Sequence, residues 1–161
     1  MARPRLVAIV SDFNEEDIIG PALARLVAQG ASVYLLDDGS TDRTVANATE
    51  AAGSALIGVE TLPPVARDDG TGAYCWTRIL DRKAQLAHTL DGDWFIHQDA
   101  DEFRESPWPH LKLADAVGLV DRLGWNAIDF EVFDFVPAGE DFLPGQDPVG
   151  KRIFQHVPEG G

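Results

Sequence analysis

Three short apolar runs, each ending in acids, constrain this chain more than any other feature of its sequence. They are "LVAIVS" (6–11) leading into Asp12, "SVYLLDD" (32–38) and "DWFIHQD" (93–99). Branched and aromatic runs of this length, with little polar interruption, read as strands buried on both faces, as in a helix-covered parallel sheet. Helical periodicity fills the gaps. Ile19, Leu23, Leu26 and Val27 follow the first run, with Asn14 placed to cap that helix, Glu15, Glu16 and Asp17 in its first turn and Gly30 at its end. "GSTDRT" leads into a second helix over about 42–52, and "ALIGVE" (55–60) reads as another strand. Trp76, Ile79, Leu80, Lys83, Ala87 and Leu90 then mark one side of a third helix.

Residues 61–75, with two prolines and two glycines, read as a long loop of the kind that is often functional. Beyond the acidic run, Leu113, Val117, Val120 and Leu123 mark a helix across about 110–124. "AIDFEVFDFV" (127–136) alternates like a fifth strand, with a break at Val132-Phe133 that reads as a bulge. The segment after Pro137 is rich in Pro, Gly and Asp and shows little pattern until "KRIFQHV".

Strand-helix alternation of this kind specifies an α/β fold with a mainly parallel sheet. In such folds ligands bind beyond the carboxyl ends of the strands. Ser11-Asp12 with Asn14, Asp37-Asp38, and Asp99 with Asp101 all fall at strand ends, so they are expected along one edge of the sheet. With 161 residues the chain reads as a single domain, 1–161.

Charge narrows the partners. The net charge of −14 argues against nucleic acid or an anionic membrane as the main partner. A phosphate-bearing substrate would need a local positive charge, such as a divalent cation. Cys75 is the only cysteine, so no intramolecular disulfide can form, which is compatible with a reducing compartment. No apolar run is long enough for a spanning helix, and the basic-then-apolar start is too short for a signal peptide, so a cytoplasmic location is expected.

Asp99-Ala100-Asp101 would place two carboxylates on one side of an extended strand. Hard oxygen ligands so placed suit Mg²⁺ or Mn²⁺ with substrate phosphates. In a chain with 27 acids, an isolated pair of this kind is equally well read as a solvated turn. Asp37-Asp38-Gly39-Ser40 suits contact with a base or ribose, or simply a turn that caps the next helix. His97 reads as a hydrogen-bonded core or supporting histidine rather than a direct ligand. Arg82 and Lys83 are the nearest upstream cations, placed either to offset a diphosphate or, for Lys83, to snorkel from an amphipathic helix. Neither a G-x-G-x-x-G nor a G-x-x-x-x-G-K-[ST] pattern is present.

Taken together, "VAIVSDFNEEDIIGPAL", "VYLLDDGSTDRT" and "DRKAQLAHTLDGDWFIHQDADEF" resemble the family 2 glycosyltransferases, most closely the branch with an Asp-Ala-Asp-Glu-Phe motif. The resemblance covers roughly residues 5–105, and three motifs in order at strand ends are more specific than any one of them. It implies a GT-A, Rossmann-like three-layer fold and a metal-dependent inverting transfer from a nucleoside-diphosphate sugar to an acceptor hydroxyl. On that resemblance Asp37 or Asp38 contacts the nucleoside, and Asp12, Asn14 and Glu15 border the base. Asp99 and Asp101 bind the diphosphate and Mn²⁺ or Mg²⁺, with His156 completing the metal site; Arg82 and Lys83 join the donor-binding set from their position upstream of the acidic strand end. Glu140 or Asp141 is the general base expected beyond the motif.

Two departures stand out. Ser11-Asp12-Phe13 replaces the family's first-strand proline, and the acceptor-side C-terminal region is short or missing. A non-catalytic or partner-dependent nucleotide-sugar-binding module, with a protein partner supplying the acceptor site, is therefore the alternative expectation. A nucleotidyltransferase fits less well, because "SDFNEED" is not a Gly-rich basic loop. A glycosidase also fits less well, because Asp99 and Asp101 are too close together for that chemistry.

Overall fold

The computed structural model describes residues 3–63, 75–133, 135–137 and 152–154. Four parallel strands form the centre: β1 (Leu6–Asp12), β2 (Ser32–Asp37), β3 (Leu56–Thr61) and β4 (Trp94–Asp99), in the order β3-β2-β1-β4. Helices α1 (Ile19–Ala28), α2 (Thr44–Ala52), α3 (Trp76–Thr89) and α4 (Leu113–Arg122) connect or follow them. Two further short strands, β5 (Phe135–Pro137) and β6 (Arg152–Phe154), pair antiparallel with each other. β1 is buried at every residue because it has strand neighbours on both edges and helices on both faces.

The pleat sorts the core into two layers. Leu6, Ala8, Val10, Val33, Leu35 and Ile96 pack against Ile19 and Leu23 of α1, Ala48 of α2 and Val117 of α4. Val7, Ile9 and Leu36 face the other way, against Ile79 and Leu86 of α3. Each fully buried side chain of this size contributes about 1.5–3 kcal/mol. The three-layer α/β arrangement with a parallel sheet is the one expected from the sequence.

Three local expectations change. First, Asn14 does not cap α1, which begins at Ile19 after a turn in which the Glu15 carbonyl accepts from Ile18 and Ile19. Asn14 sits at φ 55° instead, and its side chain accepts from the Thr41 backbone N–H at 2.8 Å. A long-range tie between loops has displaced a local cap. Second, the buried stripe of α3 is Ile79, Lys83 and Leu86, while Trp76 and Leu80 are about half exposed. Third, residues 125–133 form no strand, so no bulge arises at Val132-Phe133; among the described residues of the expected 127–136 strand, only Phe135 and Val136 pair, together with Pro137 beyond it. The alternation has a different origin. Ile128 and Phe130 rest against the α1/α4 layer while their neighbours face solvent, a period of two that extended chain can satisfy without a ladder.

Candidate functional site

Register places the polar strand ends beside one another. Asp12 lies opposite Asp37 across the β1/β2 pair, and Ser11 lies opposite Asp99 across β1/β4. All belong to the carboxyl-terminal edge of the sheet, as expected. The same pleat that sorts the core also divides these groups. Asp12 and Asp37 fall on the α1/α2 side, and Ser11 and Asp99 fall on the α3 side.

On the α1/α2 side the site is closed. Asp12 is 5% exposed and Asp37 is 2% exposed. Burial, with the charge of Asp37 next, pushes the Asp12 carboxyl up to about 8. Burial also acts on Asp37, but hydrogen bonds from Ser40, Asp12 and Thr61 outweigh it and hold Asp37 below the ordinary value. The Ser40 backbone N–H donates to Asp37 Oδ1 at 2.9 Å. As a carboxylate, Asp12 would leave Oδ2 buried without a donor among the described residues. As an acid it donates to Asp37, so one proton held by the pair relieves both the repulsion and the orphaned oxygen.

The loops above this pair are laced together. The Asn14 N–H donates to Ser40 Oγ at 2.9 Å, and the Glu15 N–H donates to Thr44 Oγ1 at 2.8 Å. Asp42, rather than Asp37 or Asp38, receives the Thr44 N–H at the start of α2, at 2.9 Å. Gly39 takes φ 87°, a conformation that a side chain would strain.

On the α3 side the acids meet cations. Asp38, whose side chain is 8% exposed, pairs with the Arg78 guanidinium. Arg78 also donates to the Pro63 carbonyl. Lys83 is 5% exposed, and its Nζ donates to the Gln98 carbonyl at 2.8 Å and to Asp99 Oδ1 at 3.3 Å. Ser11 Oγ donates to the same Oδ1 at 2.8 Å. Burial lowers the Lys83 ammonium from its ordinary value, with Asp99 opposing the shift. His97 is not a core residue: it is 44% exposed, with Nε2 at 3.9 Å from Asp99 Oδ1. Burial, then the charge of Lys83, lowers its imidazole.

The Asp-x-Asp pair is not extended. β4 ends at Asp99, and Ala100-Asp101 form a turn in which the Glu102 N–H donates to the Asp99 carbonyl at 3.2 Å. The i, i+2 rule for strands therefore does not govern Asp101, which stands exposed beyond the sheet. Glu15 is its neighbour across the edge: burial first, and the charge of Asp101 next, raise the Glu15 carboxyl.

Arg82 lies apart from this group. Its Nε and Nη2 donate to Glu60 Oε1 and Oε2, each at 2.8 Å, so its charge is matched on β3. Arg78 is the site residue that sequence reasoning missed. The available signal was its place in the first turn of a helix that follows a strand, because such a turn starts at the carboxyl edge of the sheet. Glu140, Asp141 and His156 lie outside the described residues. A groove of about 710 Å³ runs along the open edge of β4, lined by Trp94, His97, Arg104, Trp125 and Phe130, among others. It touches His97 but none of the strand-end acids.

The chain's own residues fit a small divalent cation of the kind bound jointly with phosphates. Among the described residues, no three His, Cys, Asp or Glu side chains gather around one point, so no complete protein cage is present. Exposed Asp101 and half-buried Asp99 supply hard oxygens, and Mg²⁺ is commonly held by one or two carboxylates plus phosphates.

Sequence comparison bears on the same region. Residues 7–62 match the profile of glycosyl transferase family 2. The chain is 33% identical over 94 residues to the dodecaprenyl-phosphate galacturonate synthase of Rhizobium johnstonii (strain DSM 114642 / LMG 32736 / 3841), a match covering 55% of this chain and 28% of that protein. Among solved structures, a mycobacterial protein overlaps 77% of this chain and 38% of its own length, at 23% identity and TM-score 0.48. Glucosyl-3-phosphoglycerate synthase of M. tuberculosis overlaps 74% of this chain and 40% of its own, at 22% identity and TM-score 0.47. The chain spans well under half the length of each of these proteins. Across the stretch that forms β1, α1, β2, α2 and β3, the sequence is similar to glycosyl transferase family 2.

Proposed function

We propose that this chain is the donor-binding part of a metal-dependent, inverting glycosyltransferase that moves a sugar from a nucleoside-diphosphate sugar to an acceptor hydroxyl, in the cytoplasm. The observation that carries this reading is the row of strand-end groups along one edge of a parallel sheet: Asp38 with Arg78, then Ser11 with Asp99 and Lys83, then Asp101. In this reading Asp38 and Arg78 present an acceptor and a donor to the nucleoside. The laced loops holding Asn14 and Glu15 border the base, over a floor made by Asp12 and Asp37. Asp99 and Asp101 would hold Mn²⁺ or Mg²⁺, which when bound would offset the charge of a leaving diphosphate. The acceptor hydroxyl would lose its proton to a carboxylate, for which Glu140 and Asp141 remain the candidates from sequence. Inversion follows from direct displacement at the anomeric carbon. Support comes from the family match over β1 to β3. Glucosyl-3-phosphoglycerate synthase of M. tuberculosis has itself been solved in complex with Mg²⁺ and uridine diphosphate, the ligand class expected here.

In a second reading the chain binds the donor and a partner or further chain supplies the acceptor site. No described helix is long and apolar enough to cross a membrane. A thermal-shift panel of nucleoside diphosphates and sugar nucleotides, with Mn²⁺, Mg²⁺ or chelator, tests donor binding. A metal-dependent rise for one nucleotide is expected. No rise for any nucleotide would remove the donor-site reading, whereas binding without transfer to any acceptor would favour the second reading.

A further inference from the structure

We propose that Lys83 is a positioning residue that makes cation binding conditional on the diphosphate; this rests on the donor-site reading above. A buried lysine is rare unless paired, and this one is aimed at the strand end where cation ligands are expected. Its Nζ and the Ser11 hydroxyl both converge on Asp99 Oδ1, at 3.3 and 2.8 Å. That oxygen is therefore saturated from within, and the carboxylate is locally neutralised. Asp99 is also fixed from its backbone, since its N–H donates to Glu102 Oε2 at 3.2 Å.

Affinity for hard cations rises with the number of charged ligands. With Asp99 offset by Lys83 and Glu102 paired with Arg104, a divalent ion at the strand end meets chiefly the charge of Asp101, with Glu15 across the edge. The ion is then held weakly until a diphosphate brings its own negative charge. Lys83 repels the bare cation and attracts the phosphate, so the same ammonium opposes the first event and favours the second. Gln98 supports this arrangement. Its carbonyl accepts from Lys83 while its Nε2 donates to the Glu102 carbonyl at 3.0 Å, tying the ammonium to the turn that carries Asp101.

The experiment measures Mn²⁺ binding from the spin-resonance signal of free aqueous Mn²⁺, with and without uridine diphosphate and with a panel of other nucleoside diphosphates. The unmodified chain should bind Mn²⁺ at least tenfold more tightly with its nucleotide than without. Lys83→Met, which keeps the volume and removes the charge, should tighten Mn²⁺ alone about tenfold and shrink the advantage conferred by the nucleotide. Lys83→Met combined with Asp99→Asn should return Mn²⁺ alone to the unmodified level, isolating the pair. Unchanged Mn²⁺ affinity in folded Lys83→Met would overturn the role of Lys83 while leaving the donor site standing. Tight Mn²⁺ binding by the unmodified chain without nucleotide would overturn it as well, and requires no variant. Absence of Mn²⁺ binding with every nucleotide would remove the donor-site reading, and this inference with it.

Discussion

Two pairs of strand-end acids sit within one register step of each other and live in opposite electrostatic worlds. Asp12 and Asp37 have no cation among the described residues; they face the α1/α2 layer, exclude water and settle on a shared proton. Asp38 and Asp99 face α3 and each receives a cation from it, Arg78 and Lys83. The first pair is neutralised by protonation, the second by opposite charge. A proton held between buried acids makes a rigid floor that has little to offer a charged ligand. A cation-anion pair at an open edge can exchange partners when a diphosphate arrives. The pleat creates this difference, because neighbouring residues along a strand point to opposite faces.

The largest effect that would sharpen the contrast comes from the open side. Asp101→Ala should weaken metal-dependent nucleotide binding by about 100-fold or more, by calorimetry, with no change in melting temperature, since Asp101 is exposed. Retained metal-dependent affinity would remove Asp101 from the site. Arg78→Ala should cost roughly 2 kcal/mol in denaturant unfolding, because it strands Asp38, and Asp38→Asn in the same chain should recover much of that loss. A loss that the second change does not recover would mean that Arg78 acts through packing or the Pro63 carbonyl instead.

The closed pair predicts a pH dependence. The folded Asp12 carboxyl titrates near 8 against an ordinary value of 3.8, so between those limits the folded chain binds more protons than the unfolded one. Stability is therefore greatest below about pH 4 with respect to this group, and falls as pH rises toward 8. Asp12→Asn, whose amide can still donate to Asp37, should flatten that slope and gain about 1–2 kcal/mol at pH 8. An unchanged slope would mean that the pair does not hold a proton. The smallest effect is expected at Arg82, which is tied to Glu60 at the rim of the sheet. Arg82→Ala should cost about 0.5 kcal/mol and leave nucleotide affinity unchanged. A clear loss of affinity would return Arg82 to the donor site.

Much of this was legible in the sequence because it depends on local pattern. The uninterrupted runs at 6–11 and 32–38 could only be buried strands, and the helical spacing of Ile19, Leu23 and Leu26 could only face them. The strand at 127–136 misled because a period of two records alternate burial, which residues 128–130 achieve against the core without pairing. Asn14 misled because capping is a local rule, whereas its side chain is held by Thr41 of a distant loop. Lys83 appeared in the sequence as one member of an apolar stripe, and its direction of reach was open until α3 was seen to lie against β4.

The sequence by itself determined the parallel α/β class, the edge at which the acids collect and the family resemblance. Each of these follows from hydrophobic period, turn chemistry and motif order along the chain. Only the tertiary structure decided which acids share a proton and which share a cation. Those choices depend on which face of the sheet a side chain leaves and which helix covers that face, and charges within a few ångströms interact far more strongly there than in open water.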